Sequence, residues 1–460
     1  MQAGEIGAET AGDSYVPHSG NGGYRTLSNS LNLKYRIARN RLDGVAELRL
    51  QATQPLARFT LDLVGLAASR VRVDGRKADF RQVHGKLRIT PPHAIEAGAE
   101  ASVVIEYGGA PKPRRTRWGA IGWEELDDGV LVASQPSGAP TWFPCNDHPS
   151  DKASYRLRFE TDEAYTVVAN GELVEHRVVA GQGVWVYEQR EPTASYLVML
   201  QVGRYAKREL ASTVTETAVF FPRPLERRVR ADFDPLPAML EVFDDCFGPY
   251  PFEQYSVVVT PDELEIPLEA QGLAVFGANH VDGQGGEERL IAHELAHQWF
   301  GNSVGVERWQ DIWLNEGFCC YAEWLWSDAA GKTSADELAR EHHALLSRLP
   351  ADLMLGDPGP SDMFDDRVYK RGALTLHALR LAIGDDAFFD LLPEWTAANR
   401  HATATTTAFI ELVERRTGDD FGSFFESWLY DPALPALPPA PVVDESFAGR
   451  VRSWVARRRD

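Results

Sequence analysis

From about residue 26 to residue 205, apolar and polar positions alternate. Leu31, Leu33, Tyr35 and Ile37 alternate with polar residues in LNLKYRI, and Phe59, Leu61 and Leu63 do so in FTLDL. Val103, Ile105 and Tyr107 follow, then Val184, Val186 and Tyr187 with looser alternation. Successive side chains of a strand point to opposite faces, so a period of two predicts strands with one buried face. Turn pairs such as Asn170-Gly171 separate the runs and predict antiparallel pairing. This half of the chain reads as an all-β domain, sandwich-like, with sheets packed face to face. No repeat of 20–50 residues is evident.

After about residue 205 the pattern changes. Two short strands are expected in AVFFP and YSVVVTP. Helical periodicity follows over residues 286–300 and 317–328. Ser334 and Glu337 form a capping-box signature before ELAREHHALLSRL. Residues 369–383 carry Leu374, Leu376, Leu379 and Leu381 and stop at Gly384. Two further helices are expected over 407–416 and 420–430. The fold class is therefore α+β multidomain: an N-terminal extension over 1–25, an all-β domain over 26–205 and a mostly helical domain over 206–435. Residues 432–441, PALPALPPAP, mark the end of the packed region. Residues 436–460 then read as a Pro-rich linker and basic tail, with Arg450, Arg452, Arg457, Arg458 and Arg459 at a solvated end.

Composition narrows the class of partner. The 460 residues exceed what one core usually holds. A hydrophobic share of 44% with 25% charged residues excludes a largely disordered chain. The formal net charge of −20 disfavours nucleic acid and anionic membrane surfaces. No apolar run reaches the roughly 18 residues of a membrane helix. The first residues lack the apolar segment of a secretory signal. Four scattered cysteines do not make a disulfide framework, so the expected compartment is a reducing cytoplasm.

The chemistry concentrates in EERLIAHELAHQWFG. On a helix, positions four apart share a face, so His293 and His297 can point two imidazoles at one cation. Glu294, one step from the first ligand, is placed to take a proton from the attacking water without binding the metal. Glu316 follows His297 after eighteen intervening residues, in WLNEGF. A helix, a short return and a second helix would bring this carboxylate to the metal. Two neutral imidazoles and one carboxylate leave a zinc ion net positive, with a coordination position for water or substrate. One Zn2+ per chain is the expected cofactor. Metal-bound histidines pass their other N–H to an acceptor, and Glu323, two turns beyond Glu316 on the same face, is a candidate. Asp311 is a candidate for positioning the loop before Glu316. His342 and His343 are expected to be solvated, and Cys319 and Cys320 to pack facing away from Glu316.

HELAHQWFGNSVGVERWQDIWLNEGF resembles the zinc core of the aminopeptidase N and leukotriene hydrolase family, a gluzincin group. QPSGAPTWFPCNDHPSDKASY, PYPF at 249–252 and VYKRGALTLHALR at 368–380 resemble further stretches of that family, in its order. The resemblance implies a β-domain followed by a thermolysin-like catalytic domain and a zinc metalloaminopeptidase acting on peptides with a free N-terminus. It makes Glu294 the general base and Tyr369 the donor to the oxyanion; a phenol keeps its proton at neutral pH and can stabilise developing charge. It makes Glu269 the anchor of the substrate's α-amino group, with Glu265 the alternative, and Gln135 a second contact to that amine. The sequence departs from the family there: Pro-Leu-Glu-Ala-Gln stands where the family has Gly-Ala-Met-Glu-Asn. Compared with larger relatives, a C-terminal helical domain is expected to be missing, giving a more open cleft or one completed by another subunit. The competing readings are a non-peptidase hydrolase on the same zinc site, such as an epoxide hydrolase, a silent scaffold of the same fold, and an endopeptidase.

Overall fold

A computed structural model describes residues 5–439; residues 1–4 and 440–460, which include the five tail arginines, lie outside it. The chain divides into two compact units. The first comprises residues up to 208 together with 220–224 and 256–278, and the second takes the rest.

The first unit is built from the alternating runs. Tyr24–Arg36 pairs antiparallel with Arg41–Ala52 and parallel with Ala153–Asp162, setting Leu31 opposite Leu157 and Leu33 opposite Phe159. These belong to an eight-stranded sheet whose edges are Glu172–Val179 and Arg76–Lys77. Its inward positions, Leu33, Tyr35, Leu48, Leu50, Val103 and Ile105, are almost wholly buried. A four-stranded sheet adds Phe59, Leu61, Leu87 and Ile89 to the same core, and a five-stranded sheet adds Trp123, Val130, Val132 and Val202. Each such side chain contributes about 1.5–3 kcal/mol by leaving water. The N-terminal extension is more ordered than a loop. Glu5–Ile6 pairs in parallel with Leu56–Asp62, and Tyr15 and Val16 are buried. Polar groups are buried here too. Asp62 receives the Lys86 ammonium at 2.5 Å and hydrogen bonds from Asn21 Nδ2 and the Asp147 N–H. Asp147 accepts from Ser195 Oγ at 2.8 Å, yet burial and the charge of Asp62 push its pKa up to about 7.

Residues 256–278 follow the start of the expected helical domain in sequence and pack with the first unit. Residues 256–259 pair in parallel with Leu273–Phe276, and Val258, Leu273 and Val275 join the β core. Asn170 Nδ2 donates to the Gln271 carbonyl at 2.8 Å. Asn170-Gly171 was expected to join antiparallel partners, but Thr166–Ala169 and Glu172–Val179 on either side of it belong to different sheets.

The second unit is mostly helical. In chain order its main helices are α1 (Glu226–Phe233), α2 (Leu236–Phe247), α3 (Glu288–Ala296), α4 (Trp313–Ala329), α5 (Ala335–Leu346), α6 (Asp366–Ile383), α7 (Asp385–Ala398) and α8 (Thr406–Thr417). The capping box at Ser334 and Glu337 starts α5, and Gly384, at φ 83°, ends α6. The expected helix over 420–430 is a short α-turn, Gly422–Phe425, continuing into a π-turn, Glu426–Tyr430. Helices α1, α2 and α7 were not expected. In α2, Leu236, Met239, Leu240, Phe243 and Phe247 form a buried stripe at helical spacing. Fifteen of the seventeen residues of α4 are buried, which makes it the central helix of this unit. Among the described residues no helix is long and apolar enough to cross a membrane.

Candidate metal centre

α3 carries the two histidines. Its regular span ends at Ala296, but His297 keeps helical dihedrals (φ −55°, ψ −23°) and its N–H bonds the His293 carbonyl at 3.2 Å. The one-turn spacing therefore holds, and the imidazole centroids lie 4.9 Å apart. Each ring is fixed through Nδ1. His293 Nδ1 meets Glu323 Oε1 at 2.7 Å, and His297 Nδ1 meets the Phe300 carbonyl at 3.0 Å. The Phe300 ring stacks on Phe318 of α4, centroids 4.3 Å apart, which steadies the main chain carrying that carbonyl. With both Nδ1 atoms occupied, the Nε2 atoms of both rings face Glu316.

Glu316 completes the set. α4 starts at Trp313, four residues before the expected run, so Glu316 lies inside its first turn. There the helix dipole favours a carboxylate. Its Oε2 lies 3.4 Å from His293 Nε2 and 3.5 Å from His297 Nε2. Tetrahedral zinc with bonds of about 2.0–2.1 Å separates its donors by about 3.3 Å, so the three groups fit that ion. All three residues are buried. Burial alone would lower the His293 pKa, but hydrogen bonds to Glu316 and Glu323 outweigh it and hold it at about 9. Burial pushes Glu316 up, and the two histidines outweigh that and hold its carboxyl below the ordinary range. A divalent cation would take over the charge balance of this cluster.

Around the three donors, the expected residues sort clearly. Glu294 is buried, its carboxylate within 4.8 Å of a His297 ring nitrogen. Tyr369, in the first turn of α6, stacks on His293 with centroids 5.9 Å apart and planes 26° apart. Glu323 holds His293, and behind it lie Arg289 at 3.7 Å and Lys370 at 3.9 Å. Asp311 lies in the turn just before α4 and is bonded to another helix. Its Oδ1 accepts from Thr406 Oγ1 at 2.6 Å, joining the turn before α4 to the start of α8. Gln135 and Glu269 lie in the first unit and meet: Gln135 Nε2 donates to Glu269 Oε1 at 2.6 Å. Glu265 is exposed.

Three expectations about neighbouring residues need revision. Cys319 was expected to pack facing away, but its thiol donates to the Phe300 carbonyl at 3.6 Å, the same oxygen that holds His297. His342 is not merely solvated: it stacks on Trp324 at 5.2 Å. His343 Nε2 meets the Pro435 carbonyl at 2.7 Å. The residues that the sequence did not single out are Phe300, which acts through its main chain, and Lys370, which reaches α4 from another helix. Tyr255 is a third: burial pushes its phenol well up, and the charge of Glu294 adds to that.

Two imidazoles one turn apart on a helix, joined by a glutamate from the next helix, define a metallopeptidase site of the gluzincin kind. Comparison with known sequences agrees. The Peptidase family M1 domain profile matches residues 232–428, and the Peptidase M1 N-terminal domain profile matches residues 24–197. The chain belongs to peptidase family M1, a zinc family. A solved M1 zinc metallopeptidase from Deinococcus radiodurans is 31% identical, with a TM-score of 0.87 over 94% of this chain and 99% of that one. A variant of the Deinococcus enzyme was solved with a Tyr-Ser-Ala substrate, and it is equally similar to this chain, with 31% identity, a TM-score of 0.87 and the same coverage. Among curated proteins, leucyl aminopeptidase of Saccharolobus solfataricus is 23% identical over 82% of this chain and 50% of its own length. Human endoplasmic reticulum aminopeptidase 1 is 28% identical over 75% of this chain and 40% of its own. The chain thus spans about half the length of the curated relatives it matches, or less.

Proposed function

We propose that this protein is a zinc aminopeptidase that removes the first residue from peptides with a free N-terminus. The observation that carries the reading is the convergence of His293 Nε2, His297 Nε2 and Glu316 Oε2 at 3.4–3.5 Å. Those three donors would hold zinc, which when bound supplies Lewis acidity at the scissile carbonyl and acidifies the attacking water. Glu294 accepts the proton from that water on a carboxylate oxygen and delivers it to the departing amine. Tyr369 donates its phenolic hydrogen to the oxyanion of the tetrahedral state. Glu269 takes the substrate's α-ammonium as a charge-assisted hydrogen bond, which an internal peptide bond cannot offer. The Gln135 amide donates to Glu269 through Nε2, so its Oε1, the acceptor half, is the part that faces an ammonium donor. Holding the charged end fixes where the cut falls and orients the scissile bond before chemistry begins.

The test is Glu294→Gln assayed on an aminoacyl arylamide. The variant is expected to retain one zinc per chain and lose at least about 100-fold in kcat, the scale of a general base. Turnover at the parental rate with zinc in place would reject the role of Glu294. Hydrolysis of N-acetylated substrates as fast as free ones would reject the aminopeptidase reading in favour of an endopeptidase.

A further inference from the structure

The spacing between the zinc-ligand helix and the tyrosine helix rests on two glycines. Gly317 follows Glu316 on α4, and Gly372 lies three residues after Tyr369 on α6. A Cβ built on Gly372 would sit 2.6 Å from Gly317 Cα, and one built on Gly317 would sit 2.8 Å from Gly372 Cα and 3.0 Å from its carbonyl carbon. Carbon atoms in contact prefer about 3.5–4.0 Å, so neither glycine can gain a methyl group unless the helices part by about 1 Å. The obstacle is backbone on both sides, so no side-chain rotamer can relieve it. Both φ angles are ordinary, so the requirement is for space and not for a left-handed backbone.

The same stretch of α6 is held at two more points. Lys370 Nζ lies 3.3 Å from Cys320 Sγ on α4. The Arg371 guanidinium is buried and bonds main-chain carbonyls at Leu353, Trp428, Pro432 and Ala433, among others. The tyrosine turn is thus pressed onto α4 at Gly372, pinned at Lys370 and tied on its far side at Arg371. α4 is enclosed on nearly all faces, so α6 is the helix that yields if the contact is crowded.

We infer that Gly372, through its contact with Gly317, is a positioning residue for the reaction: the closeness of the two backbones sets how far the Tyr369 hydroxyl stands from the carbonyl it must stabilise. This rests on the oxyanion role of Tyr369 proposed above. Moving a catalytic group by about 1 Å costs on the order of 100-fold in rate. Glu316 lies on the helix that stays, so zinc binding is spared.

A double-mutant cycle tests this in the full-length chain loaded with zinc, with kcat and KM measured on an aminoacyl arylamide. Gly372→Ala is expected to keep one zinc per chain, leave KM within about twofold and lower kcat about 100-fold. In a Tyr369→Phe background the same substitution is expected to lower kcat by less than about threefold, because the displaced group is already missing. Parental kcat in Gly372→Ala overturns the inference. So does an undiminished loss in the Tyr369→Phe background, which marks a general structural defect. If Tyr369→Phe alone retains kcat, the role of the tyrosine fails, separately from the glycine contact. Should Gly372→Ala not fold, Arg371→Lys, which loosens the same turn from its far side, where its partners are main-chain carbonyls, enters the same cycle. Its loss must likewise vanish without the tyrosine hydroxyl, and a loss that persists overturns the inference.

Discussion

Replacing Glu323 by alanine removes the acceptor that His293 uses to fix its ring. The bond is short, at 2.7 Å, buried and made to an ionised carboxylate. Hydrogen bonds to charged groups contribute about 1.5–3 kcal/mol. At about 1.4 kcal/mol per decade, that is about a 10- to 100-fold loss in zinc affinity, the range typical of lost outer-shell partners. Two consequences follow from the surroundings. Lys370 and Arg289 lose the carboxylate they face at 3.9 and 3.7 Å, so the substitution also leaves positive charge beside the metal site. That repulsion pushes the loss toward the upper end of the range. Glu323→Gln keeps an acceptor of similar shape but not the charge, and belongs between the parent and the alanine variant. The assay is competition for zinc against a chromophoric chelator at fixed pH, followed by kcat at saturating zinc. Zinc affinity within twofold of the parent in Glu323→Ala would refute the claim that this carboxylate tunes the ligand. A loss as large in Glu323→Gln as in Glu323→Ala would instead assign the whole effect to charge.

The other predictions concern the first unit. Asp147 is protonated more readily in the folded chain than its ordinary value of 3.8 allows, with a pKa of about 7, because burial and Asp62 disfavour its charge. The folded state therefore binds the extra proton between those values, so stability falls as pH rises from about 4 to about 7 and then levels off, by on the order of 4 kcal/mol. Asp147→Asn should match the parent in urea unfolding at pH 4 and exceed it at pH 8; an advantage independent of pH would refute the assignment. Glu269→Gln should raise KM for free N-terminal substrates by about 10- to 100-fold, the cost of losing one charge-assisted bond. It should also narrow the preference over N-acetylated ones, and unchanged KM would move the amine anchor elsewhere.

The β half was legible because strand alternation is local: LNLKYRI shows its buried face within seven residues, although FTLDL is buried on both faces, Thr60 and Asp62 included. The helices were legible where periodicity coincided with a start signal, as at Ser334, or a stop signal, as at Gly384. α2 was hidden by prolines at its start, and α7 by Pro393 within it. The start of α4 was misplaced because Trp313, Leu314 and Asn315 are buried around the whole helix, so no polar face marks the boundary. The packing of residues 256–278 against the β core was not legible, because sequence order does not reveal which sheet their strands join. In the site, His293 with His297 and Glu316 with Glu323 were legible as pairs because spacing within one helix aligns each; the meeting of the two helices rested on the expected return between them. The Phe300 carbonyl was not, since every residue has one. The contact of Gly317 with Gly372 was not either, since it joins helices more than fifty residues apart and leaves no local trace.

The two imidazoles differ in what steadies them, and that difference bears on how such a site can drift. A substitution at position 323 reaches His293 directly, so its grip on the ion is open to gradual adjustment. His297 leans on a peptide oxygen that survives any change of side chain at position 300, provided the ring stack with Phe318 or a substitute keeps that peptide in place. Natural variation in metal retention should therefore accumulate on the His293 side, while the His297 side stays nearly constant.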